Sequence, residues 1–281
     1  MGLPYADPAP PPDPSGGPVR PSWPAWYAPV GFLCATFLTP SFVLVFERLG
    51  LRSLVPGPAL VIFQALVQDA ILVGTALAFA ARTGRPRAWH FGLGAAPLER
   101  ALSFAGRAVL AYIAFLLLAR LYDVVFDPSG EQRIVEALGA DRGLGWLVAG
   151  GVLVIVLAPV AEELFFRGFF YGSLRGQLGA PGAAVASSLV FALVHFTSAQ
   201  TLSLLPLLGV LGLLFCFLYE RTGSLYPCIA LHALNNAVAY AGVGYTRSLD
   251  GGPAVGVVLG LMMLAAAVVV PALARRGTAT T

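Results

Sequence analysis

The chain is predicted to be all-α, a polytopic membrane bundle of about eight transmembrane helices, and three observations carry that expectation. Apolar residues make up 58% of the 281 positions, charged residues only 11%, and mean hydropathy is +0.80, well away from the composition of soluble domains. The apolar residues gather into runs long enough to cross a bilayer, about 17–25 residues each. These lie near 27–46, 58–81, 102–125, 145–175, 180–197, 201–219, 224–244 and 253–273. Arginines collect at alternate ends of the runs, as an even number of crossings requires.

Taken in order, residues 1–25 form a Pro-rich stretch with a Pro-Ala-Pro-Pro-Pro-Asp-Pro segment at 8–14, which cannot bury enough surface to fold and reads as a disordered cytoplasmic tail. It has neither the basic start nor the apolar centre of a signal peptide, so the first run is expected to remain as a span. Trp23, Trp26 and Tyr27 stand where an aromatic belt marks membrane entry. The membrane domain is expected over 26–275, followed by a short tail at 276–281.

The second span is unusually polar, with Gln64, Gln68 and Asp69, and the third begins with Arg107. An Asp69–Arg107 pair between helices is the expected arrangement, and a substrate-facing role for Asp69 is the alternative. Arg82, Arg85, Arg87 and Arg100 make the 82–100 loop basic. The 126–144 loop, with Asp127, Glu131, Glu136 and Asp141 against Arg133 and Arg142, is net acidic. The positive-inside rule therefore puts 82–100 and both termini in the cytoplasm, together with Arg175, Arg221, Arg275 and Arg276.

Composition also excludes some functions. A net charge of +3, dispersed along the chain, offers no nucleic-acid surface. The basic residues are all arginine, from which no function is read. Cys34, Cys216 and Cys228 lie in apolar runs without paired spacing, and read as small buried hydrophobes rather than a disulfide framework or zinc site. No repeat of fixed period and no soluble domain is apparent.

Chemistry concentrates in the fourth span, where Glu162, Glu163 and Arg167 interrupt an apolar stretch, Ala158 to Gly176. Each ionised group at bilayer depth costs at least ~2.5–3.5 kcal/mol, so three within six residues need partners or a task. Glu163 and Arg167 are four apart and share a helix face. Glu162 is turned about 100° away and keeps its carboxylate free. The competing reading is an ion network that locks helices together and performs no chemistry.

Two further polar pairs repeat the four-residue spacing: Phe191 with His195 in the fifth span, and His232 with Asn236 in the seventh. Asn235 points elsewhere. At ~1.5 Å of rise per residue, Glu162, His195, His232 and Asn236 all lie roughly 17–23 Å from the cytoplasmic ends of their helices. They occupy one layer, as a site among facing helices requires. A carboxylate with two imidazoles can activate a water, and an amide with an imidazole can hold a developing oxyanion. Each histidine taken singly reads as a satisfied core residue; the set reads as a site. Ser187, Ser188 and Cys216 lack a base in reach and are poorer nucleophile candidates.

The ordered set Glu162-Glu163-x-x-x-Arg167, Phe191-x-x-x-His195 and His232-x-x-x-Asn236 resembles the CPBP family of intramembrane proteases, which includes the CAAX prenyl proteases and bacterial bacteriocin-processing and immunity homologues. The resemblance is motif-specific over about 145–245, the expected catalytic core, and reaches the first three spans only through hydropathy. It implies peptide-bond hydrolysis in a conical helical cavity. Glu162 would be the water-activating base and His195 its assistant, with His232 and Asn236 supporting the oxyanion and Glu163 and Arg167 in the remaining motif positions.

No cofactor is expected. Zinc is the second choice, because two histidines and a glutamate could make an open site, although the spacing is not HExxH. The expected partners are the lipid bilayer and a membrane-associated peptide, CAAX-like or leader-type. The alternative function is a noncatalytic immunity factor or transporter-like scaffold that keeps the polar layer for packing.

Overall fold

The computed structural model describes residues 23–55, 57–94, 98–126, 134–196, 198–246 and 249–278. Seven helical stretches carry the bundle: α1 (Tyr27–Arg48), α2 (Gly57–Ala81), α3 (Leu98–Phe126), α4 (Leu144–Leu193), α5 (Leu205–Thr222), α6 (Tyr226–Thr246) and α7 (Gly252–Thr278). Among the described residues there is no strand. Gly179 (φ 68°, ψ 173°) interrupts the 50-residue α4 and divides it into two arms, so eight helical segments stand where eight apolar runs were expected. Only glycine takes that backbone conformation without strain, and Pro181 supports the restart. Six stretches are long and apolar enough to cross a membrane. α6 is not one of them, since His232, Asn235 and Asn236 dilute its apolar character.

The first arm of α4 is the axis of the molecule. Phe165, Phe166, Phe169, Phe170 and Tyr171 are all buried there, and α1, α2, α5 and α6 pack around it. Small residues set the approach. A Cβ on Gly31 of α1 would lie 2.7 Å from the Phe169 ring, and one on Gly168 would lie 3.1 Å from the Phe91 carbonyl. α6 and α7 pack most closely. Gly256 and Gly260, spaced as in the GxxxG motif, would place Cβ atoms 2.9 and 2.7 Å from Ala237, which is the close backbone approach that motif permits.

Connections alternate between two ends of the bundle. At one end the Leu225 N–H donates to the Gly92 carbonyl (2.8 Å), the Ser224 hydroxyl donates to Gly94 (3.0 Å), and Arg175 pairs with Glu220 (2.9 Å). Gly139 lies against Pro58 at the other end, and Gly251 against Leu144. The basic 82–94 segment thus shares an end with Arg175 and Arg221, opposite the 139–144 segment.

Four expectations meet a different outcome. Trp23 and Tyr27 do not face lipid headgroups: both are buried, Trp23 against Phe91 and Phe169, and only Trp26 is exposed. Packed structure therefore begins by Trp23, inside the stretch read as tail. Asp69 does not pair with Arg107, because α3 packs on α5 and carries Arg107 to an exposed position. The fifth span is shorter than expected and ends at Leu193, leaving His195 in the turn that follows. The expectations for residues 1–22, for Asp127, Glu131 and Arg133, and for 279–281 lie outside the described residues, as do the side chains of Arg100, Glu136, Arg275 and Arg276.

Candidate active site

Glu163 and Arg167 pair as their spacing predicts, Nη1 to Oε1 at 2.9 Å, with both side chains fully buried. The guanidinium is held by more than the carboxylate. Its Nη2 donates to the Gly212 carbonyl of α5 (3.2 Å), and its carbon lies 4.4 Å from the Phe191 ring centroid and 4.9 Å from that of Phe215. Two aromatic faces and a backbone carbonyl replace part of the solvation that burial removes. Glycine at 212 keeps α5 close, since a Cβ there would lie 3.0 Å from Ser188.

The same Glu163 oxygen accepts a second hydrogen bond, from Nδ1 of His232 (2.9 Å). That bond orients the ring and leaves Nε2 directed toward Glu162, 3.8 Å from its Oε2. Phe215 stacks on the His232 ring at 4.9 Å, and Phe191 meets it edge-on at 5.8 Å. The imidazole is thereby fixed from three sides.

Glu162 differs from its neighbour. Its side chain keeps 15% exposure, and its Oε2 is buried without a hydrogen-bond partner among the described residues. Of the two adjacent glutamates it is the one that no cation holds within hydrogen-bond distance.

His195 is positioned by the end of α4. The chain tightens there, with the His195 N–H donating to Ala192 (3.0 Å) and the Phe196 N–H to Leu193 (3.0 Å), so the Phe191 carbonyl is left without its usual α-helical donor. The imidazole supplies one, Nδ1 donating at 2.8 Å. Because a carbonyl can only accept, Nδ1 carries the hydrogen and Nε2 of the neutral ring is the acceptor. No hydrogen bond joins His195 to Glu162.

Asn236 is positioned by a proline. Residues Val152–Leu157 and Leu164–Tyr171 are wound as π-helix on either side of the two glutamates. In the first of these turns the Ala158 N–H donates to Leu153, so Val154 would need the N–H of residue 159. That residue is Pro159, which has none. The Asn236 amide donates to the stranded Val154 carbonyl instead, at 2.8 Å. Asn235 bridges outward, accepting from the Tyr112 hydroxyl of α3 at 3.4 Å.

The structure thus gathers Glu162, Glu163, Arg167 and His232 into one cluster, sets Phe191 between Arg167, His195 and His232, and holds Asn236 one layer away on the Val154 carbonyl. Phe215, Gly212 and Val154 carried no signal of their own in the sequence. Pro159, three residues before Glu162 in an apolar run, was the legible hint of a stranded carbonyl. Asp69 lies on α2, which packs on the Ala158–Glu163 turn of α4, and its Oδ2 is buried without a hydrogen-bond partner among the described residues.

Residues 144–238 match the family model described as Type II CAAX prenyl endopeptidase Rce1-like. The motif resemblance is to that family. The matched segment spans the whole cluster from the first arm of α4 to Asn236. Two proteins of Bacillus subtilis (strain 168) are similar in part. "Uncharacterized protein YyaK" is 26% identical over 148 residues, 51% of this chain and 48% of its own length. "Putative membrane peptidase YdiL" is 32% identical over 115 residues, 40% and 43% of the respective chains. The chain thus spans about half the length of the curated relatives it matches. No solved structure matches it. Composition and helix lengths make this a multi-pass membrane protein, and its 144–238 segment is similar to CAAX prenyl endopeptidases.

Among the described residues no three His, Cys, Asp or Glu side chains gather to hold a metal ion. His195 and His232 each donate Nδ1 to a protein acceptor, on separate sides of Phe191, which leaves Nε2 of each ring open.

Proposed function

We propose that this protein is an intramembrane endopeptidase that cuts membrane-associated peptides, CAAX-like or leader-type, with a water activated by Glu162 and without a tightly bound metal. The observation that carries the reading is the contrast within the Glu162–Glu163 pair. Glu163 accepts from both Arg167 and His232 through its Oε1, whereas no cation holds either oxygen of Glu162 within hydrogen-bond distance, and its carboxylate stands beside an oriented imidazole.

Glu162 takes a proton from water as the water oxygen bonds to the scissile carbonyl carbon and the carbonyl electrons move onto oxygen. Glu162 passes that proton to Nε2 of His232, 3.8 Å away, and the ring, held by Glu163 at Nδ1, then faces the oxyanion with an N–H donor. The acceptor nitrogen of His195 assists by orienting the water. Asn236 supports the same region, with one amide hydrogen committed to Val154 and the other available to the oxyanion. The basic 82–94 segment and its shared end with Arg175 and Arg221 support cytoplasmic termini.

Purified protein should cleave a panel of membrane-associated peptides, with activity lost in Glu162→Gln. Metal content measured on the same sample separates the mechanisms: stoichiometric zinc whose removal abolishes cleavage makes it a metalloprotease. A folded wild-type protein that cuts nothing on the panel, and whose folding depends on Glu162 as much as on Glu163, returns the layer to the scaffold reading.

A further inference from the structure

α3 carries none of the three motifs and lies outside the 144–238 segment, yet it sends one polar group inward. Among its described side chains Tyr112 and Phe115 are the buried ones, their rings stacked 6.0 Å apart at 17°. The Tyr112 hydroxyl meets Oδ1 of Asn235 on α6 (3.4 Å), Nδ2 of Asn235 meets Oδ1 of Asn236 (3.4 Å), and Nδ2 of Asn236 meets the Val154 carbonyl of α4 (2.8 Å). Three helices are thus joined by one line of hydrogen bonds that ends on the carbonyl opened by Pro159.

That carbonyl fixes the direction of every bond in the line. A carbonyl only accepts, so the Asn236 nitrogen faces Val154 and the oxygen of the same amide is turned toward Asn235. The oxygen requires a donor, so Asn235 offers its nitrogen there and its own oxygen to Tyr112, whose hydroxyl then donates. We propose that Tyr112 and Asn235 are positioning residues for the Asn236 amide, holding it from the oxygen side so that its second Nδ2 hydrogen is aimed at the oxyanion. The proposal rests on the peptidase reading above and extends it by bringing α3 into the reaction. An amide pinned at both ends is aligned before charge develops, and no reorientation is needed in the transition state. Accepting at oxygen also polarises the amide and strengthens its N–H as a donor. Both effects favour the tetrahedral state over the bound peptide, so they act on kcat and leave KM alone.

The test compares a peptide substrate with its analogue in which a tetrahedral phosphinate replaces the scissile amide. Tyr112→Phe removes the first donor and keeps the ring stacked on Phe115, and Asn235→Ala breaks the line in the middle. Each should lower kcat by roughly three- to thirtyfold, short of the ~10²–10³ for outright loss of an oxyanion donor, with KM within about twofold of wild type. Affinity for the phosphinate should fall by the same factor as kcat. Partial misfolding lowers kcat without touching that affinity, so unchanged phosphinate binding by folded Tyr112→Phe overturns the assignment and leaves the line a contact between helices. In an Asn236→Ala background neither substitution should lower kcat further, and an undiminished loss there overturns it as well. Either result leaves the peptidase reading in place. A folded wild type that cuts no peptide removes that reading, and the positioning role with it.

Discussion

Glu162 and Glu163 are adjacent on one helix and face opposite situations. Glu163 is fully buried, bonded to Arg167 and His232, and braced by Phe191 and Phe215 around its partner. Glu162 is 15% exposed and holds no cation within hydrogen-bond distance. A helix turn of about 100° between neighbours is enough to send one carboxylate into an aromatic pocket and the other to a site. The comparison teaches that charge at membrane depth is not one phenomenon. The compensated acid organises the fold, and the uncompensated one is available for chemistry.

The largest expected effect breaks the Glu162 side. Glu162→Gln should lower peptide cleavage by ~10²–10⁴-fold while leaving the thermal unfolding midpoint in detergent close to wild type. A variant that cuts at the wild-type rate ends the proposed mechanism. Arg167→Ala breaks the other side and should show the reverse pattern. It strands Glu163, a loss of roughly 3–5 kcal/mol for a buried pair deprived of one member, so the yield of folded protein falls further than the specific activity of what folds. Chemical unfolding of both variants in the same detergent compares the two carboxylates directly.

A smaller effect is expected at Asn236, where the comparison extends to backbone. Asn236→Ala removes the donor from the Val154 carbonyl and should cost about 1–3 kcal/mol. Pro159→Ala restores a main-chain N–H, so the double variant should recover part of that loss in an unfolding cycle. Additive losses would show that the amide does not serve the stranded carbonyl.

The smallest effect comes from outside the layer and serves as a control on pH experiments. His90, in the loop after α2, is held below its ordinary value by burial and then by the Arg87 charge, and its Nδ1 accepts the Arg87 N–H at 3.2 Å. The folded protein therefore keeps this ring neutral where the unfolded chain, with a value of about 6.5, begins to take up a proton. Its contribution to stability is present in full above about pH 6.5 and is lost as pH falls through the lower folded-state value. His90→Gln should flatten that slope in unfolding measured against pH, and an unchanged slope would assign it to other groups.

Much of this molecule is set by contacts between residues near in sequence, and these were legible. Hydropathy determined the eight apolar runs, helical spacing determined the Glu163–Arg167 pair, and three ordered motifs determined the segment that matches the Rce1-like model. What only the tertiary structure decided lies between helices. Asp69 was expected to meet Arg107, but α2 packs on α4 while α3 packs on α5. His232 bonds to Glu163, an acid 69 residues away. His195 caps a helix that ends two residues earlier, and Asn236 answers a carbonyl opened by Pro159. The physical reason is one of rotation. Spacing along a chain fixes which side chains share a face of their own helix, but the face turned toward each neighbour is set by where glycines such as Gly31, Gly212 and Gly256 let backbones close, and no periodicity within a single helix contains that.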